Sequence, residues 1–231
     1  MELLDDEELP KSFRAAIAYN IANNKFDQNI ANIFANTIKS MKGYKEGSIR
    51  LANNISANYG EHILLIVRDR EYAIAITRRI VESNKDNLEI VIVADDLYKQ
   101  YIDYRCYIAN ISDIVDNTAY YKIVEYCKPL LKNKPVLGIT LSSSMILSLL
   151  KSDWSSYIDL EERSNGIIHE LPVIWVCIYN IIELFDDIDR FAEIIAKASL
   201  AHDKVILIDY DNTYYNGDAI ARLYELISII N

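Results

Sequence analysis

Short apolar runs alternate with amphipathic segments between residues 60 and 209, and this alternation predicts the fold. Strands are predicted where β-branched residues cluster, and helices where apolar residues recur every three or four positions. The predicted strands are 62–67, 88–94, 106–111, 136–141, 172–179 and 204–209. The predicted helices are 70–83, 95–105, 118–133, 142–152 and 183–202, and Pro129 should kink or end its helix. Strand followed by helix, five or six times over, predicts an α/β fold with a mostly parallel sheet and helices on both faces.

The first 57 residues carry a different pattern of apolar positions. Apolar residues recur there at helical spacing, first from Phe13 to Ile21 and then from Ile30 to Ile38. This spacing predicts two or three helices and no strand. The chain is therefore predicted to consist of a helical extension at 1–57 and an α/β domain at 58–231.

The 231 residues are 51% hydrophobic and carry a net charge of −10, which is typical of a globular protein with a substantial core. No apolar run in the sequence approaches the roughly 18 residues of a membrane-spanning helix. The N-terminal residues are acidic where a secretion signal is basic. We therefore expect a cytoplasmic protein without membrane contact, and the negative charge disfavours general nucleic-acid binding.

A short basic segment at 39–50 departs from this acidic balance. Its charged residues are Lys39, Lys42, Lys45, Glu46 and Arg50. We interpret the segment as a solvated helix face beside a glycine-bearing turn, because it lacks an obvious recognition helix. The alternative is a helix-turn-helix whose basic residues contact the phosphates of DNA. A DNA-binding regulator that uses the N-terminal helices therefore stays open as a hypothesis.

Cysteines and histidines are few and scattered. They are Cys106, Cys127, Cys177, His62, His169 and His202. The cysteines share no CxxC spacing and lie in or near apolar segments, so they are predicted to be buried free thiols. The histidines show neither HxxxH nor HExxH. No metal site is predicted, although a zinc site assembled from residues far apart in the sequence stays open.

The strand at 204–209 ends in Asp209, and Asp211 follows two residues later. This order resembles the nucleophile loop of haloacid-dehalogenase-type phosphotransferases. Such enzymes need a further cation and a further acid downstream. Only 18 residues follow Thr213, too few for another βαβ unit of about 30 residues. A magnesium-dependent phosphotransferase is therefore the alternative hypothesis, and a turn after the last core strand is the preferred interpretation.

Nucleotide binding and serine chemistry are not expected. The stretch HILLIVRDREYAIA, which contains the first strand, has no glycine, and neither GxxxxGK[ST] nor GxGxxG occurs in the chain. Backbone amides cannot wrap a phosphate closely without small residues. Ser142, Ser143 and Ser144 follow a predicted strand, and without a GxSxG elbow they are expected to cap the next helix.

Three stretches of the sequence carry a resemblance to a known family. They are GEHILLIVRDREYAIAITRRIVESNKDNLEIVIVADD, ELPVIWVCIYNIIEL and AHDKVILIDYDNTYYNGD, and their motif residues are His62, Cys177, Tyr179, His202, Asn212, Tyr214 and Tyr215. These stretches resemble parts of the MEDS (DcmR-type) sensory domain of methanogens and methylotrophs, over roughly residues 58–218. The resemblance implies a RecA-like or KaiC-related fold without a phosphate loop, used for sensing. Asp203 departs from the proline that the family often has there.

The combined prediction is a non-catalytic sensory or regulatory α/β protein, without a cofactor, that binds a small ligand or a protein partner. Ligands of open α/β sheets bind at the carboxyl ends of the strands. The predicted site residues at that edge are Arg68, Asp69, Asp95, Asp96, Ser142, Ser143, Tyr179, Asn180, Asp209 and Asp211. The helical extension is expected to mediate homodimerisation or partner binding.

Overall fold

A computed structural model describes residues 2–41, 43–52, 54–102, 104–107, 125–141, 154–184 and 188–230. The strands are β1 (Ile49–Ala52), β2 (Ile55–Ala57), β3 (His62–Val67), β4 (Glu89–Ala94), β5 (Cys106–Tyr107), β6 (Val136–Leu141), β7 (Val173–Asn180), β8 (Lys204–Asp209) and β9 (Asn212–Tyr215). The helices are α1 (Glu2–Asp5), α2 (Lys11–Ala22), α3 (Gln28–Ser40), α4 (Arg70–Asn84), α5 (Asp96–Lys99), α6 (Trp154–Ile168), α7 (Ile181–Leu184), α8 (Ile188–Ala201) and α9 (Asn216–Ile230). A further helical segment covers 125–130.

The central sheet has seven strands in the order β5-β4-β6-β7-β3-β8-β9. β3 pairs in parallel with β7 on one side and with β8 on the other. Among the described strands of this sheet, β9 alone runs antiparallel, in a hairpin with β8. All residues of β3 are buried, as expected for a parallel strand covered on both faces. The predicted fold class, α/β with a mostly parallel sheet and helices on both faces, is confirmed.

Two layers cover the sheet. One face packs against α2, α3, α6, α8 and α9 through alternate strand residues such as Leu64 and Leu207. The opposite face packs against α4, α5 and the β1–β2 hairpin through intervening residues such as Leu65 and Ile206. Successive side chains of a strand point to opposite faces, so each central strand supplies both layers.

The N-terminal helices belong to the first of these layers. Phe13 of α2 and Phe34 of α3 contact the ring of Tyr224 on α9, with centroid distances of 4.8 and 5.5 Å. Asn20 Nδ2 donates a hydrogen bond to Ser228 Oγ at 2.6 Å. The apolar faces of α2 and α3 are therefore buried within the chain, in the same hydrophobic core as the sheet.

The prediction of no strand in the first 57 residues is wrong. β1 and β2 form an antiparallel hairpin in which Ile49 lies opposite Ala57. Leu51 and Ile55 are buried in the core that α4 also lines, and Asn84 Nδ2 of α4 donates to the Leu51 carbonyl at 2.8 Å. A run of three or four residues is too short for periodicity to separate strand from helix. Burial against α4 decides the conformation here.

Most other predicted elements correspond to described ones. The helix predicted at 183–202 corresponds to α7 and α8, whereas the helix predicted at 95–105 is represented only by the four residues of α5. Of the helix predicted at 118–133, the described part covers 125–130 and ends next to Pro129, and residues 118–124 lie outside the described residues. The helix predicted at 142–152 and the strand residues 108–111 lie outside the described residues. No helix in the described ranges combines the length and the apolar character needed to cross a membrane.

Candidate functional site

Arg68 and Asp69 form the connection between β3 and α4 at the predicted strand edge. Asp69 Oδ1 accepts the Tyr72 amide hydrogen at 2.9 Å, which caps α4, and Arg68 Nε donates to Asp69 Oδ2 at 2.9 Å. Partial burial opposes ionisation, but these hydrogen bonds hold the pKa of Asp69 below its ordinary value. The Asp69 carboxylate thus occupies the amino end of α4. In other proteins the amino end of a helix can bind an anion.

The residues at the carboxyl ends of β4 and β7 also cap helices. Asn180 is fully buried; its Oδ1 accepts the Glu183 amide hydrogen and its Nδ2 donates to the Tyr98 hydroxyl, both at 2.8 Å. Asp95 Oδ1 accepts the Tyr98 amide hydrogen at 3.2 Å. Arg70 donates to Glu183 at 2.6 Å. Hydrogen bonds at the edge therefore join the ends of β4 and β7 to the helices that follow them.

Asp209 is buried at the end of β8 and paired with Arg222 of α9. Its Oδ2 accepts hydrogen bonds from Arg222 Nη2 at 2.7 Å and Nε at 2.9 Å. Asp209 lies opposite Asn212 in the β8–β9 hairpin, so Tyr210 and the exposed Asp211 form the tight turn between the strands. The turn interpretation of this motif is confirmed, and the carboxylate that resembled a nucleophile is occupied by a guanidinium.

The other predicted site residues are dispersed. Asp96 is exposed in the first turn of α5. Tyr179 is buried beneath α6, where its hydroxyl donates to Glu161 Oε1 at 3.2 Å and contacts the Tyr157 hydroxyl. Ser142 and Ser143 lie outside the described residues. Tyr179 therefore faces the first helical layer rather than joining the charged groups of the edge.

Lys39 in the basic segment 39–50 is engaged by acidic residues. Its ammonium group forms ion pairs with Asp6 and, at 3.7 Å, with Glu8. The hydrogen bond to Asp6 raises the pKa of Lys39. This pairing lowers the positive charge that the segment could offer to a nucleic-acid backbone.

Beneath α6 the structure brings together four residues that we call the His–Cys–Glu cluster: His62, Glu161, Cys177 and His202. All four are buried, and one potential ligand atom from each lies within 4.8 Å of the others. His62 begins β3, Glu161 lies in α6, Cys177 lies in β7, and His202 follows α8. Sheet pairing between β3 and β7, together with α6 and the end of α8, therefore builds the cluster.

The polar atoms of the cluster converge from different elements. His62 Nε2 lies 3.2 Å from Cys177 Sγ. Both His62 Nε2 and His202 Nε2 lie 3.7 Å from Glu161 Oε2. The two imidazole rings lie side by side with centroids 4.0 Å apart. The separation between imidazole nitrogen and carboxylate exceeds a normal hydrogen bond.

Burial sets the protonation states of this cluster. Desolvation lowers the pKa of His62 to about 3, and the neighbouring His202 adds to the effect. Desolvation lowers the pKa of His202 to about 4. It raises the pKa of the Cys177 thiol well above its ordinary value, and the nearby Glu161 acts in the same direction. Both imidazoles are neutral near pH 7, which is the state that binds metal ions.

Periodicity and spacing could not reveal this cluster. His62 and Cys177 are 115 residues apart in the sequence, and no short motif joins them to Glu161 or His202. One signal was present: the stretches resembling a MEDS domain contain His62, Cys177 and His202 as motif residues. The resemblance did not include Glu161, which lies in α6 between the quoted stretches.

No family model matches the chain, and no curated protein matches it. Among solved structures, the chain is similar to a protein from Pyrococcus horikoshii OT3 that is described as the subject of a structural study. The two share 13% sequence identity with a TM-score of 0.51, and the match covers 68% of this chain and 86% of that chain. This similarity supports the α/β fold alone.

Proposed function

We propose that the protein is a non-catalytic sensory or regulatory module of the cytoplasm, which binds a small ligand or a protein partner at the carboxyl ends of β3 and β8. The observation that carries this proposal is the Asp69 cap. In nucleotide-binding α/β proteins a phosphate occupies the amino end of the helix after the first strand. Here Asp69 fills that position, and its negative charge disfavours a phosphate.

The phosphotransferase alternative receives less support from the same edge. A nucleophilic carboxylate must reach the phosphorus atom of its substrate. Asp209 is 5% exposed, and both described donors to it come from Arg222. This pairing fastens α9 to the end of β8, which is a structural role.

An aromatic and cationic surface, partly exposed, lies beside the Asp69 cap. We call Arg68, Tyr72 and Tyr210 the Arg–Tyr patch. Arg68 Nη1 donates to the Tyr210 hydroxyl at 2.9 Å, and Tyr72 donates to the Tyr210 carbonyl at 3.1 Å. Tyr210 is 69% exposed and has a positive φ of 52°. Tyrosine and arginine are enriched among the residues that contribute most to binding at protein interfaces, so this patch suits a partner or a ring-bearing ligand.

Two measurements test the proposal. The first is hydrolysis of ATP and of a generic phosphate ester with magnesium, for which we expect no turnover by the native chain. Turnover that Asp209→Asn abolishes while the variant stays folded would contradict the proposal.

The second measurement is a thermal-shift screen with small metabolites, repeated on Tyr210→Gly. Glycine tolerates the positive φ of this turn, so the substitution removes the ring without straining the backbone. Tyr19→Ala, at an exposed tyrosine of α2, is the matched control. A compound that binds at the Arg–Tyr patch should stabilise the native chain and the control but not Tyr210→Gly. Equal stabilisation of all three proteins would place binding elsewhere.

A further inference from the structure

We propose that the His–Cys–Glu cluster binds one zinc ion, with His62 Nε2, His202 Nε2, Cys177 Sγ and a Glu161 carboxylate oxygen as its ligands. Two imidazoles, one thiolate and one carboxylate form a donor set that suits zinc, a borderline-soft ion. The proposal is independent of the ligand or partner proposed for the strand edge.

The separations of the donor atoms fit one shared ion. Ligand atoms at about 2.0–2.3 Å from a tetrahedral zinc ion lie roughly 3.3–3.6 Å from one another. In the cluster, the His62 Nε2 to Cys177 Sγ distance is 3.2 Å, and each imidazole Nε2 lies 3.7 Å from Glu161 Oε2. The longest separation is within 4.8 Å. Small side-chain rotations therefore complete the tetrahedron.

The nitrogen lone pairs of both histidines point into the cluster. Asn165 Nδ2 donates to the Ala201 carbonyl, so its Oδ1 is left to accept the Nδ1 hydrogen of His62, at 2.8 Å. His202 Nδ1 donates to the Ala198 carbonyl at 2.6 Å. Because a neutral imidazole carries one hydrogen, Nε2 of each ring is unprotonated. Zinc-binding histidines typically donate their second nitrogen to such outer partners.

His202 Nε2 provides an independent indication of a missing ligand. The His202 side chain is fully buried, and its Nε2 has no hydrogen-bond partner among the residues that the structure describes. Buried polar atoms are normally paired, and an exception calls for an explanation. An ion bound at the centre of the cluster would satisfy this lone pair.

The charges of the proposed site cancel. Two neutral imidazoles, a thiolate and a carboxylate carry two negative charges, which the divalent ion neutralises. A neutral complex avoids the cost of burying net charge. The Tyr179 hydroxyl donates to Glu161 Oε1, which leaves Oε2 directed at the histidines. Four protein ligands in a buried position define a closed, structural type of zinc site that joins α6 to the sheet.

Metal binding to the full chain tests the proposal. Chelator-treated protein is titrated with Zn²⁺, and with Co²⁺ as a spectroscopic substitute. We expect one ion per chain, release of the Cys177 thiol proton, and the sulfur-to-cobalt charge-transfer band of a tetrahedral thiolate complex. Cys177→Ser should lose the band. Cys127→Ser, which alters another buried cysteine of the same core, should keep it.

Substitutions of Asn165, which hydrogen-bonds to the ligand His62, and of two histidines complete the experiment. Asn165→Ala leaves every ligand in place and should weaken Zn²⁺ binding about 10- to 100-fold. His202→Gln should lose tight binding, while His169→Gln, at an exposed surface histidine, should retain it. Failure of the folded native chain to take up one equivalent of Zn²⁺ or Co²⁺ would overturn the proposal. Retention of the charge-transfer band by folded Cys177→Ser would overturn it as well. If Cys177→Ser does not fold, the Asn165→Ala and His202→Gln affinities decide.

Discussion

Lowering the pH from about 7.5 to about 5 should destabilise the metal-free protein, because unfolding releases two histidines that the folded core keeps neutral. The ordinary pKa of a histidine is 6.5, whereas burial lowers that of His62 to about 3 and that of His202 to about 4. The unfolded chain therefore binds more protons at pH 5 than the folded chain does. The stability that comes from keeping these two histidines neutral is fully present above pH 6.5. It is lost as the pH falls towards their pKa values in the folded protein.

The size of the effect follows from these pKa differences. A pH of about 5 lies 1.5 units below the ordinary pKa of an unfolded histidine. Protonation of each unfolded histidine therefore favours unfolding by about 2 kcal/mol. His62 and His202 together give about 4 kcal/mol. The total free energy of unfolding of a domain is typically about 5–15 kcal/mol, so the acid effect removes a large part of it.

Urea denaturation in the presence of a chelator, followed by circular dichroism, measures this effect. The free energy of unfolding should fall by about 4 kcal/mol between the two pH values. His202→Gln should show about half of that fall, since one titrating group remains. His169→Gln is the control for loss of a surface imidazole. Equal free energies of unfolding at both pH values, or an undiminished fall in His202→Gln, would refute the reasoning.

Three substitutions test the packing. Gly138→Ala should destabilise the fold by about 1–3 kcal/mol or more, because the added Cβ at residue 138 would lie 2.1 Å from the Trp175 ring. An unchanged urea midpoint would contradict this close approach. Gly166→Ala, in α6 with open space around its Cβ, should stabilise the fold by about 0.4–1 kcal/mol. A loss of stability would contradict a helical, unobstructed position 166. Asp209→Asn should lower the free energy of unfolding by about 2 kcal/mol, measured by thermal or urea denaturation. This is less than the roughly 3–5 kcal/mol of a fully buried ion pair, because Arg222 is 29% exposed. An unchanged free energy of unfolding would disprove the ion pair.

The parallel sheet could be predicted from the sequence because buried parallel strands form continuous β-branched runs. HILLIV and KVILID become β3 and β8 with the predicted bounds. The β1–β2 hairpin could not be predicted, because Leu51 and Ile55 belong to runs too short to show a period. The place of α9 in the core depends on the tertiary fold, because Phe13 and Phe34 of the first helices pack against Tyr224.

The candidate sites show the same division between local and distant information. Apolar runs locate strand ends, so the positions of Asp69 just after β3 and of Asp209 at the end of β8 can be predicted from the sequence. Their partners, the Tyr72 amide and the Arg222 guanidinium, determine whether these carboxylates are available, and the Arg222 pairing depends on the tertiary fold. The His–Cys–Glu cluster depends on β3 and β7 lying side by side, which no short motif encodes.

The layer formed by α2, α3 and α9 has a consequence for synthesis of the chain. Asn20 of α2 bonds to Ser228 of α9 across 208 residues of sequence, so the apolar face of α2 lacks this native partner until α9 leaves the ribosome. Contacts between such distant residues slow folding, and exposed apolar helices invite association in the meantime. The nascent chain should therefore require a chaperone longer than a domain whose early helices pack locally.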